Sequence, residues 1–261
     1  MFRGRIDAVL LRECVDAVLA VVDEARLKIY EDAWRIRAVD PANVALVDLE
    51  LRSEAFEEYT FSPTTRQDSE ESEERADEGV FEEIGVDFGK FNDVLRSGWR
   101  KGTVSIILDD KDKLSVQLDA LSYTMSLLDV SSLRKEPKLP ELDFSTRVVL
   151  DADDFKRTIK AAEKIGEHIA MGVEGDEFYM ESESEMEKMR FSLRGDELLA
   201  LSGGDARSLF SLEYLTAMSK GISSETLTLH ISTDHPLKIE FDIADGNGKV
   251  VYMLAPRIEA E

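Results

Sequence analysis

The 261-residue sequence predicts an α+β protein of two topologically alike halves, each with short amphipathic helices among β-strands. Three observations predict it. The stretch from Phe91 to Val116 is matched without a gap by the stretch from Tyr214 to Ile239, at a constant spacing of 123 positions. Phe91, Val94, Leu95 and Thr103 meet Tyr214, Ala217, Met218 and Thr226. A second match sets Leu11, Val15 and Val18 against Phe155, Ile159 and Ala162 at a spacing of 144. Between the halves, Ser131–Phe144 holds two of the six prolines, Pro137 and Pro140, and few periodic apolar residues, so it reads as an extended connector. Self-similarity of this length marks a duplicated supersecondary unit. The divisions that follow are 1–126, a connector over 127–144, and 145–261.

The elements are justified in order. Leu11, Val15, Val18 and Val22 lie at helical spacing, which predicts a helix over 6–22 with one buried face. Leu27 to Ile36 and Val44 to Leu51 alternate as strands do, and AVDPAN at 38–43 is a turn between them. Phe56, Tyr59 and Phe61 mark a further strand. Thr64 to Glu78 is acidic and lacks large apolar residues, the composition of a solvated loop. The alternation resumes at Val80 to Phe88, followed by a helix at 91–97 and a hairpin at 103–108 and 113–118. Tyr123 to Val130 reads as another strand. In the second half, a strand at Val148–Leu150 leads into a helix at 153–165, with Asp153 or Asp154 as N-cap. The expected order in each half is βαβββ-αββ. The spacings differ by 21, so the first half carries that much extra sequence, much of it in the acidic loop.

Composition sets outer bounds. No apolar run approaches the ~20 residues of a membrane span. The first segment, MFRGRIDAVLLRECVDAVLAVVDEA, is interrupted by Glu13, Asp16 and Asp23 at helical spacing, so neither a signal peptide nor a membrane partner is expected. The single cysteine, Cys14, excludes a disulfide framework, fits a reducing compartment, and reads as a buried small hydrophobe. Acidic residues number 55 against 32 basic ones, a formal net charge of −23. The excess is spread over both halves, as a solvent adaptation to high salt would be; a plain acidic cytosolic protein is the alternative.

Catalytic motifs are lacking. The histidines His168, His230 and His235 fall at no metal-ligand spacing, and GxSxG, HExxH and glycine-rich phosphate loops are missing, so neither cofactor nor metal is expected and the chain is not read as an enzyme. GGDAR at 203–207 is only a glycine pair before a helix. The scarce cations carry more information. On the helix at 153–165, Lys156, Arg157, Lys160 and Lys164 lie opposite the Phe155–Ile159–Ala162 face. A cationic face on so acidic a chain points to an anion-facing surface. The net charge taken alone argues against a nucleic-acid binder, and any footing for DNA is uneven and strongest in the second half. Arg96, with Lys90, Arg100 and Lys101 nearby, serves the helix at 91–97, while the first and last helices offer Arg12 and Lys220.

The words MFRGRI, AVDPANVALVDLELRSEAF, VLRSG, KIGEHIAM and DHPLKIEFDIADGNGKVVYMLAPRIE carry a resemblance over essentially the whole length. The sequence resembles the proliferating cell nuclear antigen family of sliding clamps, and its acidity resembles the members from salt-loving archaea. The resemblance implies a DNA clamp fold: two alike domains with helices lining a ring and sheets outside, three chains closing head to tail around double-stranded DNA. It implies Arg12, Arg96, Arg157, Lys160, Lys164 and Lys220 as DNA-facing residues, although Leu19 and Asp93 stand where relatives carry lysines. It further implies a groove under the connector for short peptide motifs (PIP boxes), made by Val39, Asn43, Val44, Leu46, Leu133, Pro236, Met253, Pro256 and Ile258. Asn43 and the Arg134–Lys135 pair depart from better-known relatives. The implied partners are DNA polymerase, clamp loader, flap endonuclease and DNA ligase, on the nucleoid in the cytoplasm. Ring closure would join an edge strand near Lys113–Leu118 to one near Met189–Leu193 of the next subunit. The competing reading is an acidic scaffold or binding module that never meets DNA.

Overall fold

The computed structural model describes residues 1–63, 79–97, 102–110, 112–140 and 142–258. The acidic loop expected at 64–78 lies outside them, as do Arg100 and Lys101. The chain forms two compact units. The first comprises Met1–Ala38, Asp48–Glu136 and Ile243–Lys249; the second comprises Val39–Val47, Pro137–Asp242 and Val250–Glu261.

One element order is written twice. The first run is β1 (Phe2–Asp7), α1 (Ala8–Leu19), β2 (Glu24–Tyr30), β3 (Ala33–Val39), β4 (Ala45–Arg52), β5 (Phe56–Phe61), β6 (Phe81–Asp87), α2 (Phe88–Ser97), β7 (Thr103–Asp110), β8 (Lys113–Leu118) and β9 (Leu121–Ser126). The second is β10 (Thr146–Asp151), α3 (Ala152–Ala162), β11 (His168–Glu174), β12 (Glu177–Glu183), β13 (Lys188–Arg194), β14 (Ala200–Gly203), β15 (Ala206–Ser211), α4 (Leu212–Gly221), β16 (Thr226–Ile231), β17 (Leu237–Ile243) and β18 (Gly248–Leu254). Each run therefore holds more strands than the sequence pattern predicts. The stretch Leu27 to Ile36 is two strands, because Glu31 and Asp32 make a bend that turns β2 back into β3. Gly203 ends β14 and a strand follows it, so GGDAR precedes no helix.

The helices start by a shared device. β1, β6 and β10 each end in an aspartate that caps the helix that follows. Asp7 accepts from Val9 N at 2.6 Å, Asp87 from Lys90 N at 2.9 Å, and Asp151 from Asp153 N and Asp154 N at 2.8 and 3.0 Å. A short acid at this position satisfies amides that the helix leaves unpaired. Asp151, not Asp153 or Asp154, is thus the N-cap of α3. The latter two sit in the first turn, where a negative charge complements the helix dipole. β15 ends in Ser211 before α4 in the same way, without a side-chain hydrogen bond.

In the first unit, β5-β1-β7-β8-β9 form one sheet and β3-β2-β6 lie hydrogen-bonded side by side, while α1 packs on α2. Alternation buries one face of β1, where Phe2 and Ile6 are inside and Arg3 and Arg5 outside. Phe2, Trp34, Phe56 and Tyr59 interlock with ring centroids 5.0–6.2 Å apart, in the tilted and edge-on contacts that aromatic quadrupoles favour. Cys14 is buried, as expected, and donates to Leu10 O at 3.4 Å. In the second unit, β13-β12-β11-β15 form one sheet and β14-β10-β16-β17 are neighbours in another, while α3 packs on α4. Phe155, Phe178, Phe210 and Tyr252 are its largest fully buried side chains.

Candidate nucleic-acid face and partner groove

The helices separate their charges from their cores. On α3, Phe155, Ile159 and Ala162 are buried, while Arg157 and Lys160 are exposed, as is Lys164 just beyond the helix. Arg157 Nη2 lies 2.5 Å from Asp154, and Lys156 Nζ 3.6 Å from Asp153. Lys160, Lys164 and Lys220 enter no ion pair among the described residues. Lys160 and Lys220 share a cleft of about 450 Å³ between α3 and α4 with Lys156, Glu163, Thr216 and Ser219. Lys164 and Arg157 do not line that cleft. In the first unit, Arg12 on α1 and Arg96 on α2 come together around Asp16, whose carboxyl is pushed up by burial against the pull of Arg96 and Arg12. Arg96 Nη2 is 3.9 Å from Asp16 Oδ1. Lys90 is tied to Asp87 at 2.7 Å.

The groove residues divide between the units. Leu133 belongs to the first, where it is half-buried, abuts Gly85, and lends its carbonyl to Arg26 at 2.9 Å. The other eight belong to the second unit. Leu46 and Met253 meet there in a buried cluster with Val251, and Leu142 and Phe144 pack onto it. Val44 O accepts from Ala255 N at 2.8 Å, which joins the early loop to the chain just before Pro256. Val39 ends β3, and Val39, Val44, Pro236 and Pro256 are half-buried. Asn43 is exposed at φ 58°, a left-handed conformation that asparagine tolerates. Ile258 is 83% exposed, a large apolar side chain left in water.

Sequence reasoning missed Asp40, which is buried and organises this loop. Its Oδ1 accepts from Val44 N and Ala45 N at 2.7 and 2.8 Å, and its Oδ2 from Ala42 N and the Tyr214 hydroxyl, both at 3.0 Å. Burial pushes its carboxyl up, yet the amides of Ala45, Ala42 and Val44 and the Tyr214 hydroxyl outweigh burial and hold it below the ordinary carboxylate range. Leu142 and Phe144 were missed as well, though their period-two spacing in ELDF carried a signal.

The strand edges correct one expectation. β8 lies between β7 and β9, with partners on both sides, so Lys113–Leu118 is no edge. The edges of that sheet are β5 and, next to β8, β9, where Leu121 and Tyr123 are each 41% exposed. β13 is an edge as expected, with Met189, Phe191 and Leu193 half-buried. Its cations are answered across the pair: Glu177 faces Arg194, Glu181 faces Arg190, and Glu183 faces Lys188. Hydrogen bonds from Arg194 and Arg190 draw the Glu177 carboxyl below its usual range.

Two family models match the chain: proliferating cell nuclear antigen, N-terminal domain, over residues 1–124, and its C-terminal domain over residues 138–257. A "DNA polymerase sliding clamp" of Methanosarcina mazei is 43% identical, and the alignment covers 100% of both chains. One of the salt-loving archaeon Natronomonas pharaonis is 39% identical, again over 100% of both. The solved structure described as "C-terminal region of FEN-1 bound to A. fulgidus PCNA" is similar with a TM-score of 0.89 at 34% identity, covering 100% of each chain.

Proposed function

The chain belongs to the proliferating cell nuclear antigen family of DNA polymerase sliding clamps, and from that premise we propose how its own residues serve a ring around DNA. Its two repeats, 1–126 and 145–261, are the clamp domains and 127–144 the connector. Three copies close head to tail as β9 of one copy adds to β13 of the next. The observation that carries this reading is the pair of unpaired edges with apolar side chains: Leu121 and Tyr123 on β9, and Met189, Phe191 and Leu193 on β13. A single chain leaves such edges open, and an interface that is head-to-tail and closes satisfies every copy.

Arg12, Arg96, Arg157, Lys160, Lys164 and Lys220 face the encircled duplex. Their contacts go to phosphates, which position a protein without reading sequence. A ring retains DNA by topology, so few contacts suffice and sliding is left unhindered. The groove of the second unit docks DNA polymerase, clamp loader, flap endonuclease and DNA ligase through short motifs with apolar anchors. The relative solved with the C-terminal region of FEN-1 supports that mode. Family membership favours this reading over an acidic scaffold that never meets DNA. The test is primer extension on a primed circular template with a partner polymerase. Added chain lengthens products if the reading holds, and Pro256→Ala with Ile258→Ala removes the effect. Unchanged product length with wild-type chain contradicts it.

A further inference from the structure

Around Asp40 the chain closes on itself. Besides receiving the amides of Ala42, Val44 and Ala45, Asp40 donates its own N–H to Ala45 O at 2.9 Å, and its carbonyl accepts from Asn43 N at 3.0 Å. The 41–44 turn hangs on one carboxylate that is only 5% exposed. All of these bonds are local to the turn except one. The Tyr214 hydroxyl comes from the first turn of α4, 174 residues away, and donates to Oδ2. The turn in turn sets where Asn43 and Val44 stand and, through Val44 O, is joined to Ala255 beside Pro256.

We propose that Tyr214 is a positioning residue for the partner groove, holding Asp40 and through it the 41–45 turn in the form that receives a partner motif. The proposal rests on the reading that this groove docks partner peptides. A buried carboxylate deprived of a donor carries a desolvation penalty in place of a hydrogen bond, and a turn built on that carboxylate loosens first. Groove geometry is thereby fixed from α4, the helix that also carries Lys220, and not by the turn alone. Affinity then depends on a hydroxyl that touches no partner atom.

The experiment uses the full-length chain and, as probe, a synthetic peptide of the C-terminal region of the A. fulgidus FEN-1, titrated by calorimetry from about pH 8 to about pH 3, across the carboxylate range. The titratable side chains facing this site are Asp40 and Tyr214, with Glu213 and Arg257 beside the tyrosine. Because the Asp40 carboxyl is held low in the folded chain, the order it supplies is present above its titration and lost as pH falls through it. Tyr214→Phe is expected to weaken the peptide about 3–10-fold at neutral pH, the net worth of one ordinary hydrogen bond, since the hydroxyl acts on the groove only through the turn. It also moves the acid loss of affinity to higher pH, since one stabilising donor is gone. Asp40→Asn flattens that acid limb, which separates Asp40 from carboxylates of the peptide itself. Oligomer mass and thermal midpoint are measured alongside to show that Tyr214→Phe folds. If Ile258→Ala loses the peptide while Tyr214→Phe keeps both wild-type affinity and wild-type pH profile, the positioning role is overturned and the groove stands. If Ile258→Ala and Pro256→Ala bind as wild type does, the groove reading fails and the proposal falls with it.

Discussion

Lys28 Nζ lies 2.5 Å from Glu136 Oε2, with the two side chains 13% and 27% exposed. Arg37 reaches the other oxygen of the same carboxylate at 3.5 Å. Beside them, Arg26 gives Nε to Arg134 O and Nη2 to Leu133 O, both at 2.9 Å. Residues 133–136 are therefore fastened to β2 and β3 of the first unit before Pro137 carries the chain onward. Glu136→Gln should cost about 1–2 kcal/mol, between the values typical of exposed and buried pairs. It should also speed amide exchange at 131–136. Exchange as slow as in the wild type would mean that the carboxylate does not hold the connector.

The cations expected to face DNA are not equivalent. Lys160 and Lys220 stand in one cleft without ion pairs among the described residues, whereas Arg157 is engaged by Asp154. Lys160→Ala and Lys220→Ala should each impair polymerase stimulation more than Arg157→Ala does. Removing one phosphate-binding cation should lower the slope of log affinity against log salt by about 0.9. Native mass should be unchanged. Equal effects of all three substitutions would remove the distinction between paired and unpaired cations.

A net charge of −23 repels itself within every folded copy. Screening shortens from about 10 Å at 0.1 M salt to about 3 Å at 1 M. The thermal midpoint should therefore rise with KCl across that range, by roughly 2–4 °C for each kcal/mol of repulsion relieved. A midpoint that falls with salt would show that ion pairs such as Lys28–Glu136 outweigh the repulsion.

Cys14 is buried in α1, and burial together with the Glu13 charge raises its thiol far above the usual value. The thiolate is the reactive form. Iodoacetamide should leave the native chain unlabelled and label one site per chain in denaturant, as read by mass spectrometry. Rapid labelling of the native chain would place Cys14 at the surface.

The duplication was legible because it repeats both apolar spacing and turn position: Thr103 and Thr226 each open a strand, and Leu11 and Phe155 each bury the same helix face. The family was legible in the LAPRIE and AVDPAN words. Strand pairing was not, because alternation at Lys113–Leu118 looks the same in a central strand as at an edge, and only hydrogen bonding to β7 and β9 on its two sides distinguishes them. Asp40 was hidden for a related reason. Among 55 acids nothing local marks the one whose carboxylate is buried, and its remote partner, Tyr214, is 174 residues away. Asp151 did not stand out as the N-cap because three of the four residues at 151–154 are aspartates and hydrogen-bond geometry alone decides among them.

The ring is the central claim, and native mass measured across a salt series tests it most directly. The account predicts a species of three times the 29.4 kDa chain mass at the salt where the chain is best folded. A folded chain that remains a monomer at every salt concentration would contradict it.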